Sequence, residues 1–367
     1  MNRREFLSKG AQLALSLPLA SYSSPAQYAS TLTRDFHQWE VIDALCGLNA
    51  ETLPITQQSL QQALDSGISA VNWTVSAANF DDTLENIAFV ESLIERDPVH
   101  WTMIRRSGDL DQAKRDKKIG VIFGFQNPEP LSGSIDRFEL FRRLGVRVMQ
   151  LTYNNRSLFG DGCLEPGNAG LSKLGRTAVS RMNELGIAVD LSHSGQRTTA
   201  EGIAASAKPV LITHSGCNAI HSHPRNKDDR ELKALADRGG VIGIYFMPYL
   251  VASPTLPTRE HVLDHLDHAI EVCGADHVGI GSDGVLDTFP DTPEQRKSFA
   301  DDMANRKRLG IAAPEEDRPP YSPDLNTPHR MEIIAAGLSK RGHSSEVIEK
   351  VMGGNFRRAF LEIWAGT

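Results

Sequence analysis

Between residues 40 and 282 the chain carries eight short apolar runs rich in β-branched residues, each followed by a stretch with helical periodicity. The runs are Glu40–Leu45, Ala70–Val75, Gly120–Phe125, Val146–Thr152, Ile187–Ser192, Val210–His214, Val241–Phe246 and His277–Ser282. They are apolar throughout instead of alternating, which predicts strands buried on both faces, as in a parallel sheet wrapped by helices. Helices are predicted over Leu60–Ser66, Leu84–Asp97, Arg137–Leu144, Lys173–Leu185, Thr198–Ala205, Asp229–Arg238 and Arg259–Cys273. Several stop at glycines, namely Gly145, Gly186, Gly239 and Gly274, as helix ends do. Eight βα units in about 250 residues predict a TIM (β/α)8 barrel. The structural rival, a doubly wound open sheet, calls for a Gly-rich phosphate turn after an early strand, and the sequence has none.

After the eighth run the chain changes character. Residues 284–328 are polar and rich in proline, with one helical piece near Glu294–Arg308. Excursions of this kind cover or line a site. Closing helices are predicted over Arg330–Ser339, Ser345–Val351 and Phe356–Ile363. No repeat is present beyond the βα alternation, so residues 31–367 read as one domain.

The first thirty residues read differently. Arg3-Arg4-Glu5-Phe6-Leu7 precedes an apolar stretch, Ala11 to Ala20, too short to span a bilayer, and then small residues up to Ser30. This pattern is expected of a twin-arginine export signal spanning residues 1–30, which places the mature protein in the periplasm without a stable membrane span. With 39 basic against 46 acidic side chains the formal charge is −7. Without a long Lys/Arg run there is no electrostatic footprint for nucleic acid or for an anionic membrane surface. A homodimer is compatible with the sequence. Cys46, Cys163, Cys217 and Cys273 fit no CxxC pair or zinc-ribbon spacing, and they are too few for a disulfide-built scaffold. Cys46 reads first as a small buried residue, and a bridge between Cys163 and Cys217 is left open.

In TIM barrels the active site lies at the C-terminal ends of the strands. Those ends read Gln126-Asn127 after the third run, Tyr153-Asn154 after the fourth, His193 after the fifth, His214 after the sixth and Asp283 after the eighth. Two histidines and a carboxylate at one rim form the ligand set of a mononuclear metal site, suited to zinc or ferrous iron. A second histidine group, His261, His265 and His268, shares a predicted helix outside the barrel and reads as a solvated face. In His221-Ser222-His223-Pro224-Arg225-Asn226, the planar fork of Arg225 suits a substrate carboxylate; a surface salt bridge to Asp228 or Asp229 is the alternative.

Seven segments follow one another in the chain: Leu151-Thr152-Tyr153-Asn154, Gly186 to His193, Thr213-His214-Ser215, Pro224-Arg225-Asn226, His265-Leu266-Asp267-His268, Val278 to Asp283 and Gly354-Asn355-Phe356. In this order they resemble the renal or membrane dipeptidase family, peptidase family M19, within the amidohydrolase-like barrels. The resemblance implies a hydroxide held by two zinc ions, with His193 and His214 as ligands, Asp283 as the proton acceptor and Arg225 on the substrate C-terminus. The remaining positions depart from the pattern. Leu45 and Gly47 stand where a His and an Asp ligand belong, Gln126 replaces the bridging Glu, and Tyr153 replaces a histidine that contacts the scissile carbonyl. Leu and Gly cannot coordinate, and an amide cannot supply the charge that bridges two dications. The expectation is therefore a dipeptidase-like hydrolase with at most one zinc ion, on His193 and His214. In it Asp283 is the base, Tyr153 an oxyanion donor, and Arg225, Asn154 and Gln126 bind a small peptide-like substrate. The alternatives are a tailoring enzyme acting on a peptide-derived metabolite such as a siderophore, with little or no metal, and a catalytically silent peptide-binding protein.

Overall fold

The computed structural model describes residues 36–48 and 53–366; the expected export signal lies outside them. In chain order the strands are β1 Ile42–Asp43, β2 Cys46–Gly47, β3 Ala70–Thr74, β4 Trp101–Met103, β5 Ile119–Phe125, β6 Val146–Gln150, β7 Ala188–Asp190, β8 Leu211–Ser215, β9 Val241–Ile244, β10 Val278–Ile280 and β11 Gly284–Val285. All eight apolar runs form strands of one parallel sheet, ordered β3-β1-β10-β9-β8-β7-β6-β5, and pairing of β3 with β5 closes it into a barrel. The helix stops are where the glycines placed them: Gly145, Gly186, Gly239 and Gly274 all have positive φ. Gly186, at φ 62°, ends the helix Lys173–Leu185, whose start is capped by the Ser172 hydroxyl accepting from Gly175 N–H.

Three strands and one helix were not expected. β4 pairs with residues 119–121 of β5 and takes the lower part of the edge whose upper part, residues 123–125, is filled by β6. At three residues, two of them half-exposed, it has no apolar run to announce it. The helix Ser107–Arg115 that follows was missed with it. β2 and β11 form a separate two-stranded parallel pair above the barrel, Gly284 opposite Cys46 and Val285 opposite Gly47. This pair fixes the chain immediately after Asp283, as β10 does just before it.

Side chains on the outer strand faces, among them Val71, Phe123, Met149, Ile212 and Ile244, pack under the helices. Inside, Ile42, Ala70, Ile122, Val148, Ala188, Leu211 and Val241 fill the lower barrel. Phe356 and Phe360 of the closing helix Asn355–Trp364 belong to the same cluster, and emptying such a fully buried Phe costs about 3–5 kcal/mol. Towards the mouth the interior becomes polar, with Asn72, Gln150, Asp190 and Thr213 all buried. There β8 shifts register against β9 between Ile212 and Ser215, and the Thr213 carbonyl approaches the neighbouring strands. A Cβ at Gly243 or Gly281 would lie 2.1 or 1.8 Å from that oxygen, so only glycine fits either place. Such irregularities recur beside active sites because they re-aim a side chain, and here the side chain is His214. Among the described residues no helix is long and apolar enough to cross a membrane.

Candidate active site

Asp190 organises the two histidine-bearing strand ends. Its carboxylate accepts from Ser192 N–H (3.0 Å) and hydroxyl (2.5 Å), and from Thr213 N–H (3.1 Å) and hydroxyl (2.6 Å). With its proton committed to Asp190, the Thr213 hydroxyl can only accept from His214 Nδ1, 2.8 Å away. His214 is thereby fixed as the Nδ1–H tautomer, with the lone pair on Nε2. His193 reaches the same state by another route. Its Nδ1 lies 2.7 Å from Asn154 Oδ1, and the Asn154 amide is oriented by donating through Nδ2 to the Ile311 carbonyl at 2.8 Å. Both Nε2 atoms are buried and hydrogen-bond to nothing among the described residues. Burial, followed by Arg225, holds both imidazoles well below their ordinary pKa, so they are neutral at pH 7.

A cavity of about 230 Å³ opens over His193 at the C-terminal mouth. Gln126, Tyr153, Asn154, His193, Arg225 and Asp283 all line it. His214 does not; its ring stands behind His193, edge to face at 5.1 Å. The Tyr153 ring stacks on His193 at 4.0 Å. Arg225 is 1% exposed. Its Nη1 donates to the Ser192 carbonyl at 2.6 Å, while Nη2 has no hydrogen-bond partner among the described residues. The surface salt bridge considered as an alternative is not formed: Asp228 accepts from Gln196 and Asn218, and Asp229 pairs with His268.

Asp283 closes the ring of groups. It has φ 55°, a left-handed conformation that Asp and Asn tolerate better than most residues, and its N–H donates to Leu45 O at 2.9 Å. Burial pushes its carboxyl up to about 6; Glu316 and Asp43 push the same way, while Arg225 and a hydrogen bond from Gln126 pull it down.

The roof comes from the polar segment after β10. Phe299, Met303 and Arg306 of the helix Pro293–Arg308 line the cavity, as does Glu316. The segment also grips the loop after β6 at successive residues: Arg306 Nη2 reaches the Tyr153 hydroxyl (3.3 Å), Ile311 O holds Asn154, and Gly310 O accepts from Asn155 (3.0 Å). Sequence reasoning placed a cover here but named none of its residues. A mostly solvent-exposed helix with charges all round gives no periodic signal to single out Arg306.

Residues 26–304 match the membrane dipeptidase family, peptidase family M19. The chain belongs to that family. It is 30% identical over 292 residues, 79% of its length, to the dipeptidase tcpJ of Claviceps purpurea, and 36% identical over 206 residues, 55% of its length, to the dipeptidase verJ of Clonostachys rogersoniana. Those matches span 61% and 52% of the two relatives' own lengths. An amidohydrolase from Pseudomonas aeruginosa superposes with a TM-score of 0.81 at 30% identity, covering 91% of this chain and 99% of that one.

M19 proteins are metallopeptidases, and the positions that would hold two ions do not suit them here. Leu45 is a buried apolar side chain, and a side chain at Gly47 would begin 3.1 Å from the Trp73 indole nitrogen. Gln126 is neutral, and the Tyr153 ring covers one face of His193. Among the described residues no three of His, Cys, Asp and Glu converge as a metal site. Cys46 is buried beneath the Arg330 guanidinium, which donates to its sulfur at 3.3 Å and stands 3.7 Å from Asp43. Cys163 and Cys217 are unbridged, hydrogen-bonded to Asn154 and His265 respectively. The second histidine group is no solvated face. His265 is fully buried, accepting at Nδ1 from Cys217 N–H and donating at Nε2 to Leu250 O, because its helix packs that side against the loops after β8 and β9. His261 caps its own helix and His268 pairs with Asp229.

Proposed function

We propose that this M19 protein is a hydrolase of dipeptides or similarly small amides carrying a free α-carboxylate. One observation carries the reading. A buried guanidinium with no carboxylate paired to it among the described residues shares a small cavity with a carboxyl whose pKa lies about 6. A buried cation of that kind calls for an anion, and a carboxyl tuned to just below neutrality suits proton transfer at pH 7. Arg225 receives the α-carboxylate through its free Nη2. Asn154 and Gln126 border the bound substrate. Asp283 takes a proton from the attacking water and returns it to the leaving amine. Tyr153 donates its hydroxyl to the developing oxyanion, and His193 Nε2, an acceptor by its fixed tautomer, orients the water.

At most one metal ion binds per chain, on His193 and His214. It is weakly held, because a catalytic zinc takes three protein ligands. Purified protein is expected to hydrolyse some dipeptides and to contain well under two equivalents of metal after dialysis. Failure to hydrolyse any member of a dipeptide panel, with or without added zinc, would sink the reading; two tightly held equivalents would sink the ligand assignment. The protein acts in the periplasm, a reading supported by Arg3-Arg4 ahead of the apolar stretch. Changing both arginines to Lys is expected to leave precursor in the cytoplasm, and fractionation showing unchanged export would refute the twin-arginine route.

A further inference from the structure

Arg306 stands in the last turn of the roof helix, with its side chain 17% exposed. Its Nη2 donates to Glu316 Oε1 at 2.6 Å and to the Tyr153 hydroxyl oxygen at 3.3 Å, and its guanidinium carbon lies 5.7 Å from the Tyr153 ring centre. Glu316 is itself held by its own loop, since its second oxygen accepts from Ala313 N–H at 2.7 Å. A guanidinium has no lone pair to offer. In this bond the Tyr153 oxygen must therefore be the acceptor, and its hydroxyl proton is left for another partner. Among the described residues no acceptor takes that proton, and Tyr153 lines the cavity together with Asp283. Burial raises the Tyr153 pKa, Asp283 and Glu316 add to the rise, and Arg306 opposes it.

We propose that Arg306 is a positioning residue for the Tyr153 hydroxyl: by occupying the phenol oxygen it turns the O–H into the cavity, so that the pair receives the oxyanion of the hydrolysis inferred above. The water oxygen bonds to the amide carbon as its proton passes to Asp283, and the carbonyl π pair moves onto oxygen beneath the Tyr153 O–H. On collapse that pair re-forms the carbonyl, the C–N bond breaks, and the Asp283 proton goes to the amine. Tyr153 keeps its proton throughout. Positive charge that relatives draw from metal comes here from an arginine on the cover. The competing assignment is a plain ion pair with Glu316 that pins the roof.

The test uses a phosphinate pseudodipeptide with a free α-carboxylate, whose tetrahedral anion imitates the addition intermediate, titrated calorimetrically into wild type, Tyr153→Phe, Arg306→Met and the double variant. Each single change is expected to weaken phosphinate binding by ~10- to 100-fold, with kcat falling by ~10². The double variant is expected to be no worse than Tyr153→Phe, because the two side chains act as one unit. KM for an ordinary dipeptide stays within about threefold if the interaction belongs to the transition state. Arg306→Lys, which keeps a donor and the ion pair with Glu316, is expected to recover part of the phosphinate affinity. Unchanged phosphinate binding in Arg306→Met, additive losses in the double variant, or a KM that rises in step with the phosphinate Kd would each overturn the proposal. So would failure of wild type to bind the phosphinate. A wild type that shows the expected binding pattern yet cleaves no dipeptide would unseat the hydrolase reading alone.

Discussion

Asp283→Asn is expected to lower kcat by ~10²–10⁴, the usual cost of removing a positioned general base, while leaving the protein folded. Asn is the right replacement for two reasons. At φ 55° it is among the few residues that accept the left-handed conformation with little strain, whereas Ala would add about 1 kcal/mol or more. It also removes an electrostatic cost. The folded pKa of Asp283, about 6, lies above its ordinary value of 3.8, so ionisation works against the fold. Stability present below about pH 4 falls as the pH rises through 6. A neutral amide escapes that loss, and the variant is expected to melt no lower than wild type at pH 8. In wild type the same group is expected to set the acid limb of kcat/KM, which should rise with pH through about 6 because only the carboxylate can accept a proton. Turnover by Asp283→Asn at wild-type speed, or an acid limb that survives the substitution unchanged, would remove Asp283 from the chemistry. A large drop in Tm would mark it as a structural residue.

Arg225→Lys is expected to raise KM by one to two orders of magnitude with a smaller change in kcat. The guanidinium is committed on one side, Nη1 to the Ser192 carbonyl at 2.6 Å, and presents from a fixed plane an Nη2 that has no hydrogen-bond partner among the described residues. A lysine ammonium in the same pocket is a point charge that cannot serve both partners in that geometry. Loss of one partner of a buried charged hydrogen bond costs about 2–5 kcal/mol, which bounds the effect from above. Amidating the substrate C-terminus removes the other partner, and is expected to cost wild type as much. The variant and the amidated substrate together are expected to do little more damage than either alone, since both delete one interaction. Equal kcat/KM for free and amidated dipeptides in wild type would show that Arg225 holds something else.

The barrel was legible because its signal is repeated. Eight apolar runs, each closed by a helix, leave few other architectures, and errors at single boundaries do not disturb the count. The residues ending those runs were legible for the same reason: a polar side chain just after a buried strand has to point into the mouth. What was hidden depends on backbone detail or on contacts distant in sequence. The register shift that turns His214 behind His193 has no sequence mark until Gly243 and Gly281 are seen to make room for the Thr213 carbonyl. Asp190 stood in plain view at the end of a run, yet its four donors come from two strands and cannot be counted from a string. His265 was misread because helical spacing groups it with His261 and His268, although only packing decides which of the three is buried. Arg306 lies 153 positions from Tyr153, on a helix without periodicity, and no local pattern connects them.

The cover and the proposed catalytic groups are largely the same piece of protein. Arg306, Gly310 and Ile311 hold Tyr153, Asn155 and Asn154 in turn, and Asn154 in turn holds His193. Lifting the segment would do more than admit solvent: it would release the phenol and free the amide that selects the imidazole tautomer, and so disarm the proposed site in the act of exposing it. An extended polypeptide that propped the segment open would meet scattered side chains in place of a working set. For the hydrolase proposed above, restriction to short substrates would then need no pocket that measures chain length, because whatever is too long to be roofed over would find nothing assembled to cut it.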